Sequence, residues 1–310
     1  MSQYAQGVLC AIISAAIYGA GPTCALYVYA DGASEASYLF WRYVFSALAL
    51  LPLFFRQPAA MRRLQRGDIG RLLLLALFMA AAGLLLTSSY TLIGTGIATT
   101  LHFSYPVFTL LGCALFYHDR IQRRMVVCVA LTLAGVALCY APGGAHSLLG
   151  VFIAFISGAA YAMYLIYLGK SGLSDVPPVT LSIYLSLAIA ALFVPYMLAT
   201  DSFVWQLSAG SWLVLAVIAA ACSAAMVLLQ LGVKYIGPQS ASVLSTFEPL
   251  TAVVIGLLFL NEPFSWRMLA GVLLVLASVL LLTLSGPQPA AGKRLPHPHR
   301  HRHLRRHGVR

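Results

Sequence analysis

Residues 98–108 read Ala-Thr-Thr-Leu-His-Phe-Ser-Tyr-Pro-Val-Phe, and residues 241–251 read Ala-Ser-Val-Leu-Ser-Thr-Phe-Glu-Pro-Leu-Thr. Their prolines, Pro106 and Pro249, lie 143 positions apart. The same offset, applied without a gap, pairs further residues of types that seldom coincide by chance: Gly7 with Gly150, Ser14 with Ser157, Tyr18 with Tyr161, Pro52 with Pro195, Gly94 with Gly237 and Arg124 with Arg267. The chain is therefore expected to contain two copies of one unit.

The composition assigns the chain to the membrane. Of its 310 residues, 61% are hydrophobic and 9% are charged, whereas soluble domains have about 25% charged residues. Apolar runs close to the ~20 residues that cross a bilayer as a helix lie near residues 7–29, 36–55, 70–92, 96–117, 124–141, 148–168, 178–199, 211–233, 239–260 and 266–284. None alternates with a period of two, which excludes a porin-like barrel. The predicted fold class is an all-α membrane protein with ten transmembrane helices.

The number of spans in each copy predicts how the copies are related. Each copy holds five, so the second copy enters the membrane from the opposite side. The expected domains are a first five-helix repeat over residues 5–142, a second over 148–285, and a basic, histidine-rich disordered tail over 286–310. Inverted repeats are typical of alternating-access carriers, whose substrate site lies at the repeat interface near the bilayer midplane. A duplicated scaffold without a transport role is the alternative.

The distribution of positive charge predicts the topology. If the N-terminus is cytoplasmic, every Lys and Arg except Arg42 and Arg267 falls in a cytoplasmic loop or in the tail, so both termini are expected in the cytoplasm. The net charge of +11 is therefore explained by loops beside a lipid bilayer and not by a nucleic-acid surface. The tail is expected to contact anionic lipid headgroups, with metal binding by its histidines as the alternative. The six cysteines lie inside apolar runs and are expected to be reduced.

The two stretches quoted above resemble the paired signatures of EamA-type carriers, which belong to the bacterial drug/metabolite transporter superfamily. Each is followed by an acidic residue at the end of its span, Asp119 in the first copy and Glu262 in the second. The resemblance implies ten helices, a multi-pass location in the bacterial inner membrane, and export or exchange of small metabolites, including amino acids, their derivatives and drugs. His118-Asp119-Arg120 stands where a glutamate is commoner in the family, which leaves the role of Asp119 open.

Three ionisable residues fall well inside apolar spans, where a charge costs at least about 2.5–3.5 kcal/mol on insertion scales. Glu248 directly precedes Pro249 at an expected helix break, and it is the candidate for proton coupling or for binding an amine. Arg42 is expected to bind a substrate carboxylate or to pair with Glu248, or else to extend to the headgroups. His102 either relays protons or hydrogen-bonds a substrate, or is satisfied by a neighbouring side chain.

Aromatic residues and helix breakers complete the candidate site. The aromatic side chains expected to border a substrate cavity, unless they serve as interface anchors, are Tyr18, Trp41, Tyr105, Tyr161 and Tyr164. The expected hinges are Gly19, Gly21 and Pro22 in the first span, with Pro106 and Pro249 in the fourth and ninth. The sixth span has no breaker at the corresponding positions, so the first helix is expected to bend more than the sixth.

The sequence contains no His-Glu-x-x-His, Gly-x-Ser-x-Gly or phosphate-binding Gly-Lys-Ser/Thr motif. We therefore expect no enzymatic activity, no metal site and no cofactor. The favoured function is a secondary transporter that exports or exchanges a small amphipathic metabolite, such as an amino acid or a derivative, by alternating access. A proton-coupled multidrug exporter is the nearest alternative, and a membrane enzyme or a non-transporting scaffold is the alternative from another class.

Overall fold

The computed structural model describes residues 2–93, 95–139, 147–251 and 266–284. Within these ranges the regular structure is helical. A short 3₁₀ helix, Leu173–Asp175, precedes α9. The α-helices are α1 Gln3–Tyr18, α2 Gly21–Ala30, α3 Glu35–Arg56, α4 Arg66–Ile93, α5 Thr95–His102, α6 Tyr105–Tyr117, α7 Arg123–Cys139, α8 Leu148–Lys170, α9 Pro178–Thr200, α10 Ala209–Ser245 and α11 Trp266–Leu284.

Six helical segments of the described chain are long and apolar enough to cross a membrane. They are Gln3–Ala30, which joins α1 and α2, together with α3, α4, α8, α9 and α10. Two shorter apolar helices cover Tyr105–Tyr117 and Leu269–Leu282. Large apolar side chains such as Leu115, Phe152 and Leu198 are more than half exposed on the outside of the bundle, as a lipid-facing surface requires. The prediction of an all-helical, multi-pass membrane protein is confirmed.

Serine side chains begin several of these helices. Ser34, Ser147 and Ser208 each take an extended backbone conformation, and each hydroxyl accepts a hydrogen bond from the backbone N–H three residues later. Such caps satisfy N–H groups that a helix start leaves without an intrahelical partner. They place the starts of α3, α8 and α10 at loops, where polar backbone can reach water.

Helix breaks interrupt three of the predicted spans, and a further break lies between two spans. The first span is interrupted after Tyr18, where Gly19 and Ala20 separate α1 from α2, whereas α8 is continuous. Turns before Pro106 and Pro249 interrupt the fourth and ninth spans. In α10 the kink lies at Gly237, whose φ of 78° is a left-handed conformation that glycine adopts without strain. The described helices thus contain the breaks expected at the candidate hinges.

The helix contacts recur at the offset of 143 residues. Gly7 on α1 faces Ile236 on α10, where a Cβ added to the glycine would lie 2.8 Å from the isoleucine side chain. Gly150 on α8 faces Ile93 on α4 in the same way, at 2.6 Å. The offset relates Gly7 to Gly150 and Ile93 to Ile236. The second contact therefore repeats the first with the two copies exchanged. Glycine lets each helix pair approach closely, as is common where helices pack in membranes.

Helices α3 and α9 pack antiparallel and are counterparts under the same offset. Each uses a hydroxyl and an aromatic ring to hold the loop that follows the other. The hydrogen bonds are Ser37 Oγ to Ser202 O at 3.0 Å, Trp41 Nε1 to Val204 O at 3.2 Å, Thr180 Oγ1 to Met61 O at 2.8 Å and Tyr184 OH to Arg62 O at 3.1 Å. We call the end of the bundle with loops 31–34 and 201–208 the loop-31 end, and the end with loops 57–65, 118–122 and 171–177 the loop-57 end.

We predict that Gly7→Ala and Gly150→Ala each destabilise the protein by about 1–3 kcal/mol, since the new methyl group overpacks a tight helix contact. Gly70→Ala is the control, because nothing lies within 4 Å of a Cβ at that exposed helical position. Thermal unfolding in detergent measures the effect. A melting temperature of Gly7→Ala or Gly150→Ala no lower than that of Gly70→Ala would contradict the close packing.

Candidate functional site

A cavity of about 120 Å³ lies among the helices, displaced from the middle of the bundle toward the loop-31 end. A cavity of roughly 150 Å³ holds benzene in an engineered protein, so this space suits a small organic molecule. Polar and aromatic side chains interrupt its apolar wall. The lining residues are Tyr18, Gly21, Pro22, Ala25, Tyr38, Leu39, Arg42, Tyr43, Met79, Ala82, Gly83, Leu86, Thr87, Tyr90, His102, Tyr161 and Glu248.

Five of the eight predicted substrate-binding residues lie on this wall. They come from five separate segments of the chain and include both repeat-related tyrosines: Tyr18, Arg42, His102, Tyr161 and Glu248. The predicted hinge residues Gly21 and Pro22 also line the cavity at the start of α2. The helix break in the first span therefore borders the space that a ligand would occupy.

Arg42 is held on the cavity wall by two aromatic rings. Its guanidinium carbon lies 5.0 Å from the ring centroid of Tyr43 and 5.8 Å from that of Tyr38. Nη2 donates to the Tyr43 hydroxyl at 3.3 Å, while the buried Nε has no hydrogen-bond partner. The two rings attract a cation and orient the guanidinium without neutralising its charge. The fork therefore retains donors for an anionic group of a ligand.

Glu248 follows the turn at Thr246 and Phe247, and its carboxylate faces the same cavity. Among the described residues, ion pairs within 4 Å join Arg71 to Asp68 and Lys170 to Asp119, and neither includes Glu248 or Arg42. The direct pairing of Arg42 with Glu248, one of the sequence expectations, is therefore absent from this arrangement. Arg42 and Glu248 therefore face a shared cavity without an ion pair between them.

His102 ends α5 on the cavity wall. Its Nδ1 lies 2.9 Å from Ser157 Oγ on α8, and its ring centroid lies 5.5 Å from that of Tyr161 and 5.6 Å from that of Tyr105. The neighbouring side chain that the sequence left unspecified is therefore Ser157. The hydrogen bond to Ser157 holds the Nδ1 edge of the imidazole, and the residue still borders the cavity.

Three predicted substrate contacts lie away from the cavity wall, and for these the expected placement needs correction. Trp41 donates from Nε1 to Val204 O and packs on Trp212, because one helical residue turns its side chain about 100° away from Arg42. Tyr105 and Tyr164 are 1% and 0% exposed, and both rings pack against Tyr161. These three side chains support the wall and do not form it.

Several wall residues were not among the predicted contacts. Tyr38 and Tyr43 flank Arg42 on α3, and Met79, Gly83 and Thr87 lie one turn apart along α4. The spacing of Tyr38 four residues before Arg42 was a usable signal, because such residues share a helix face. The α4 residues gave none, since small residues pack helices as readily as they line cavities.

A buried ion pair joins the two copies at the loop-57 end. Lys170 Nζ lies 3.0 Å and 2.8 Å from the carboxylate oxygens of Asp119, and Gln239 Nε2 donates to the same carboxylate at 3.3 Å. The side chains of Asp119 and Lys170 are 4% and 11% exposed. His118, in the left-handed conformation with φ of 54°, ends α6 and directs the chain to this position.

The loop-31 end is joined by an exposed contact of a different kind. The backbone N–H of Ser208 donates to the Asp31 carboxylate at 2.7 Å, and this hydrogen bond, with others from the Ser208 and Ser211 hydroxyls, lowers the pKa of Asp31. Because Asp31 is fully exposed, the contact lies in water, where it is weaker than the buried pair. The cavity is therefore nearer the end whose charged contact is exposed.

Comparison with known proteins gives a family and a fold. A model of the EamA-like transporter family matches residues 5–141 and 148–284. The uncharacterized transporter sll1319 of Synechocystis is 31% identical over 67% of this chain, which spans 65% of that protein, and an uncharacterized transporter of Archaeoglobus fulgidus is 27% identical over 87% of this chain and 93% of its own. A crystal structure of another protein has a TM-score of 0.76 at 17% identity, covering 91% of this chain and 97% of that chain, which is a likeness of fold alone.

The cavity itself is testable by thiol labelling in a background without native cysteines. We predict that Thr87→Cys reacts with a small water-soluble methanethiosulfonate, because this position lines the cavity. Thr109→Cys is the control, since Thr109 is 0% exposed and its hydroxyl donates to Tyr105 O. Labelling followed by mass spectrometry measures both. Labelling of Thr87→Cys no faster than that of Thr109→Cys would contradict a water-accessible cavity at Thr87.

Proposed function

The chain belongs to the EamA-like transporter family, and we propose that within this family of membrane transporters it is a secondary carrier for a small amphipathic metabolite, an amino acid or a derivative. It exports or exchanges this solute across the bacterial inner membrane by alternating access. The observation that carries the proposal is the pair of opposite charges, Arg42 and Glu248, that line one cavity without forming an ion pair.

The chemistry of the wall favours a zwitterion. The guanidinium of Arg42 complements a carboxylate, and Glu248 complements an ammonium group. A buried charge without a partner is costly, and a ligand that brings both opposite charges removes that cost at both positions. Tyrosine rings and the side chains of Met79 and Leu86 offer an apolar surface to the rest of the molecule. An amino acid or a derivative has this combination of groups.

Alternating access requires two similar halves that rock about the site, and the helix contacts support such a pair. The contact of Gly7 with Ile236 corresponds to that of Gly150 with Ile93 when the copies are exchanged. Helices α3 and α9, which are counterparts, run antiparallel. Exchange of antiparallel helices requires an approximate two-fold axis perpendicular to them. Such an axis lies in the membrane plane, which favours two inverted five-helix repeats with the predicted boundaries 5–142 and 148–285.

The proposed orientation places the loop-57 end in the cytoplasm. Arg56, Arg62, Arg63, Arg66 and Lys170 lie at this end, in agreement with the rule that positive loops stay inside. The cavity, on this orientation, is nearer the outer surface. The tail 286–310, which we propose contacts anionic lipid from the cytoplasmic side, lies outside the described residues, as does Glu262.

We propose that the buried ion pair of Asp119 and Lys170 holds the loop-57 end closed. It links the loop after α6 in the first copy to the end of α8 in the second, at the end of the bundle away from the cavity. Under the offset of 143, the residue equivalent to Lys170 is Tyr27, which is 54% exposed. The loop-31 end therefore has no ion pair of the same residue types at the equivalent position. Opening toward the cytoplasm would separate the two copies here and break the pair.

Reconstituted vesicles test the transport proposal directly. We expect saturable counterflow of a radiolabelled amino acid from a screen of the common amino acids, because exchange through an occluded site needs no net driving force. Arg42→Gln removes the cation for the carboxylate and is expected to abolish counterflow, whereas Trp41→Phe keeps it, since Trp41 is outside the cavity wall. Counterflow of lipophilic cations in place of amino acids would favour the multidrug exporter.

Glu248→Gln tests whether Glu248 also couples transport to protons. If Glu248 exchanges a proton with the substrate, an imposed pH gradient accelerates uptake by the unmodified protein. In Glu248→Gln this acceleration is lost, and the counterflow that remains is weaker, because the countercharge for the ammonium group is gone. Uptake with and without the gradient measures the difference. An unchanged gradient dependence in Glu248→Gln would remove this residue from proton coupling.

Asp119→Asn tests the ion pair. It leaves Lys170 buried and unpaired, which costs roughly 3–5 kcal/mol and favours opening at the loop-57 end. Cys113, which is 0% exposed and lies within the helix preceding Asp119, is the reporter in a background lacking the other cysteines. We expect faster maleimide labelling of Cys113 in Asp119→Asn. The control Asp68→Asn breaks a partly buried pair within α4, away from Cys113, and is expected to leave the rate unchanged. Equal rates in both variants would contradict the proposed closure.

A further inference from the structure

Ser157 makes two short polar contacts with a single hydroxyl hydrogen. Its Oγ lies 2.6 Å from Ala154 O in its own helix and 2.9 Å from Nδ1 of His102. A hydroxyl has one proton to donate and two lone pairs that accept. If the proton pointed at Nδ1, two oxygens with lone pairs would face each other at 2.6 Å. The proton therefore goes to Ala154 O, as is usual for serine inside a helix.

This assignment determines the donor in the second contact. Since the Ser157 proton is used, Nδ1 of His102 donates its N–H to Ser157 Oγ. Among the described residues, no ion pair within 4 Å involves His102. A neutral imidazole that carries its proton on Nδ1 has a lone pair on Nε2. No protein partner of Nε2 occurs among the described residues, and His102 lines the cavity.

We propose that Ser157 is a positioning residue that holds His102 in the Nδ1–H tautomer, so that Nε2 is a hydrogen-bond acceptor for the transported solute. The inference deepens the proposed function and rests on it: the ligand must present an N–H or O–H donor, as a primary ammonium does. A solute with a quaternary ammonium has the same charge but no donor, and the site discriminates against it. His102 then determines specificity and does not relay protons.

The structure around His102 fits this role. A Cβ added to Gly158, the residue after Ser157, would lie 2.6 Å from the carbonyl oxygen of His102, so glycine permits α8 to approach the end of α5. The tilted ring of Tyr161, whose centroid lies 5.5 Å from that of His102, restricts rotation of the imidazole. The close approach of α8 to the end of α5 and the contact with the Tyr161 ring thus maintain the hydrogen bond between His102 and Ser157.

The repeat supplies a matched control. The counterpart of Ser157 is Ser14, which is also buried and whose hydroxyl donates to Ala225 O at 2.8 Å. The counterpart of His102 is Ser245, so only one copy carries the pair of histidine and serine. Ser14→Ala and Ser157→Ala remove the same atom from equivalent buried positions. An effect of Ser157→Ala that Ser14→Ala lacks is therefore specific to His102.

The first experiment determines the tautomer without transport. The full chain, labelled with ¹⁵N-histidine and held in lipid nanodiscs at neutral pH, gives nitrogen shifts that distinguish Nδ1–H, Nε2–H and the doubly protonated ring. His102→Gln assigns the signals. We expect Nδ1–H in the unmodified protein and in Ser14→Ala, and a mixture of tautomers in Ser157→Ala. An Nε2–H or doubly protonated His102 in the unmodified protein would overturn the proposal, as would identical spectra of the two serine variants.

The second experiment measures the specificity. L-Leucine and N,N,N-trimethyl-L-leucine compete for counterflow, and their half-maximal inhibitory concentrations are compared. Loss of one hydrogen bond to the solute corresponds to about a tenfold preference for L-leucine. We expect this preference in the unmodified protein and in Ser14→Ala, and a fall to below about threefold in Ser157→Ala and His102→Leu. An equal preference in the two serine variants would overturn the role of Ser157.

The two experiments separate the inference from the proposed function. If the spectra show Nδ1–H but neither leucine compound is bound or transported by any variant, the substrate class is wrong, and the positioning of His102 by Ser157 stands. If both compounds are transported without discrimination, the carrier function stands and the specificity role of His102 fails.

Discussion

The close approach of helices at Gly7 and Gly150 is the constraint on which the rest of the structure depends. In a bilayer, lipid tails are as apolar as the helix surfaces, so helices associate through tight packing and not through the hydrophobic effect. Side chains on α10 and α4 occupy the space that a Cβ on either glycine would need. Each glycine lies on one copy and packs against the other, so these two contacts hold the copies together around the cavity between them.

The charges of the bundle fall into two groups with different consequences. Asp119 and Lys170 neutralise each other with the help of Gln239, and this buried pair stabilises one end of the molecule as long as both partners stay in place. Arg42 and Glu248 face a cavity without an ion pair between them. Under the proposed carrier function these side chains would bind the solute, because the solute supplies the opposite charges.

The residues with candidate roles are concentrated where the two copies differ. The first span is broken at Gly19 and Ala20 while α8 is continuous, and His102 stands opposite Ser245 in the repeat. Some symmetric positions, such as the two glycines, supply packing, while the symmetric pair Tyr18 and Tyr161 lines the cavity. For the proposed alternating access, two similar halves would provide two similar conformations, whereas a solute without two-fold symmetry would require an asymmetric cavity.

The sequence by itself determined the membrane class, the position of six apolar spans, the helix breaks, and the presence of Arg42, His102 and Glu248 within apolar runs, because hydropathy, helix breakers and the cost of buried charge act locally along the chain. It also contained the offset of 143 residues, which tertiary contacts then reproduced. Only the tertiary structure decided that Arg42 faces the cavity and Trp41 does not, that Asp119 pairs with Lys170, and that Ser157 meets His102. Those outcomes depend on the rotation of each helix about its axis and on which helices become neighbours. Successive side chains of a helix point about 100° apart. A rotation of the helix about its axis therefore changes which side chain lines the cavity, while the hydropathy of the sequence stays the same.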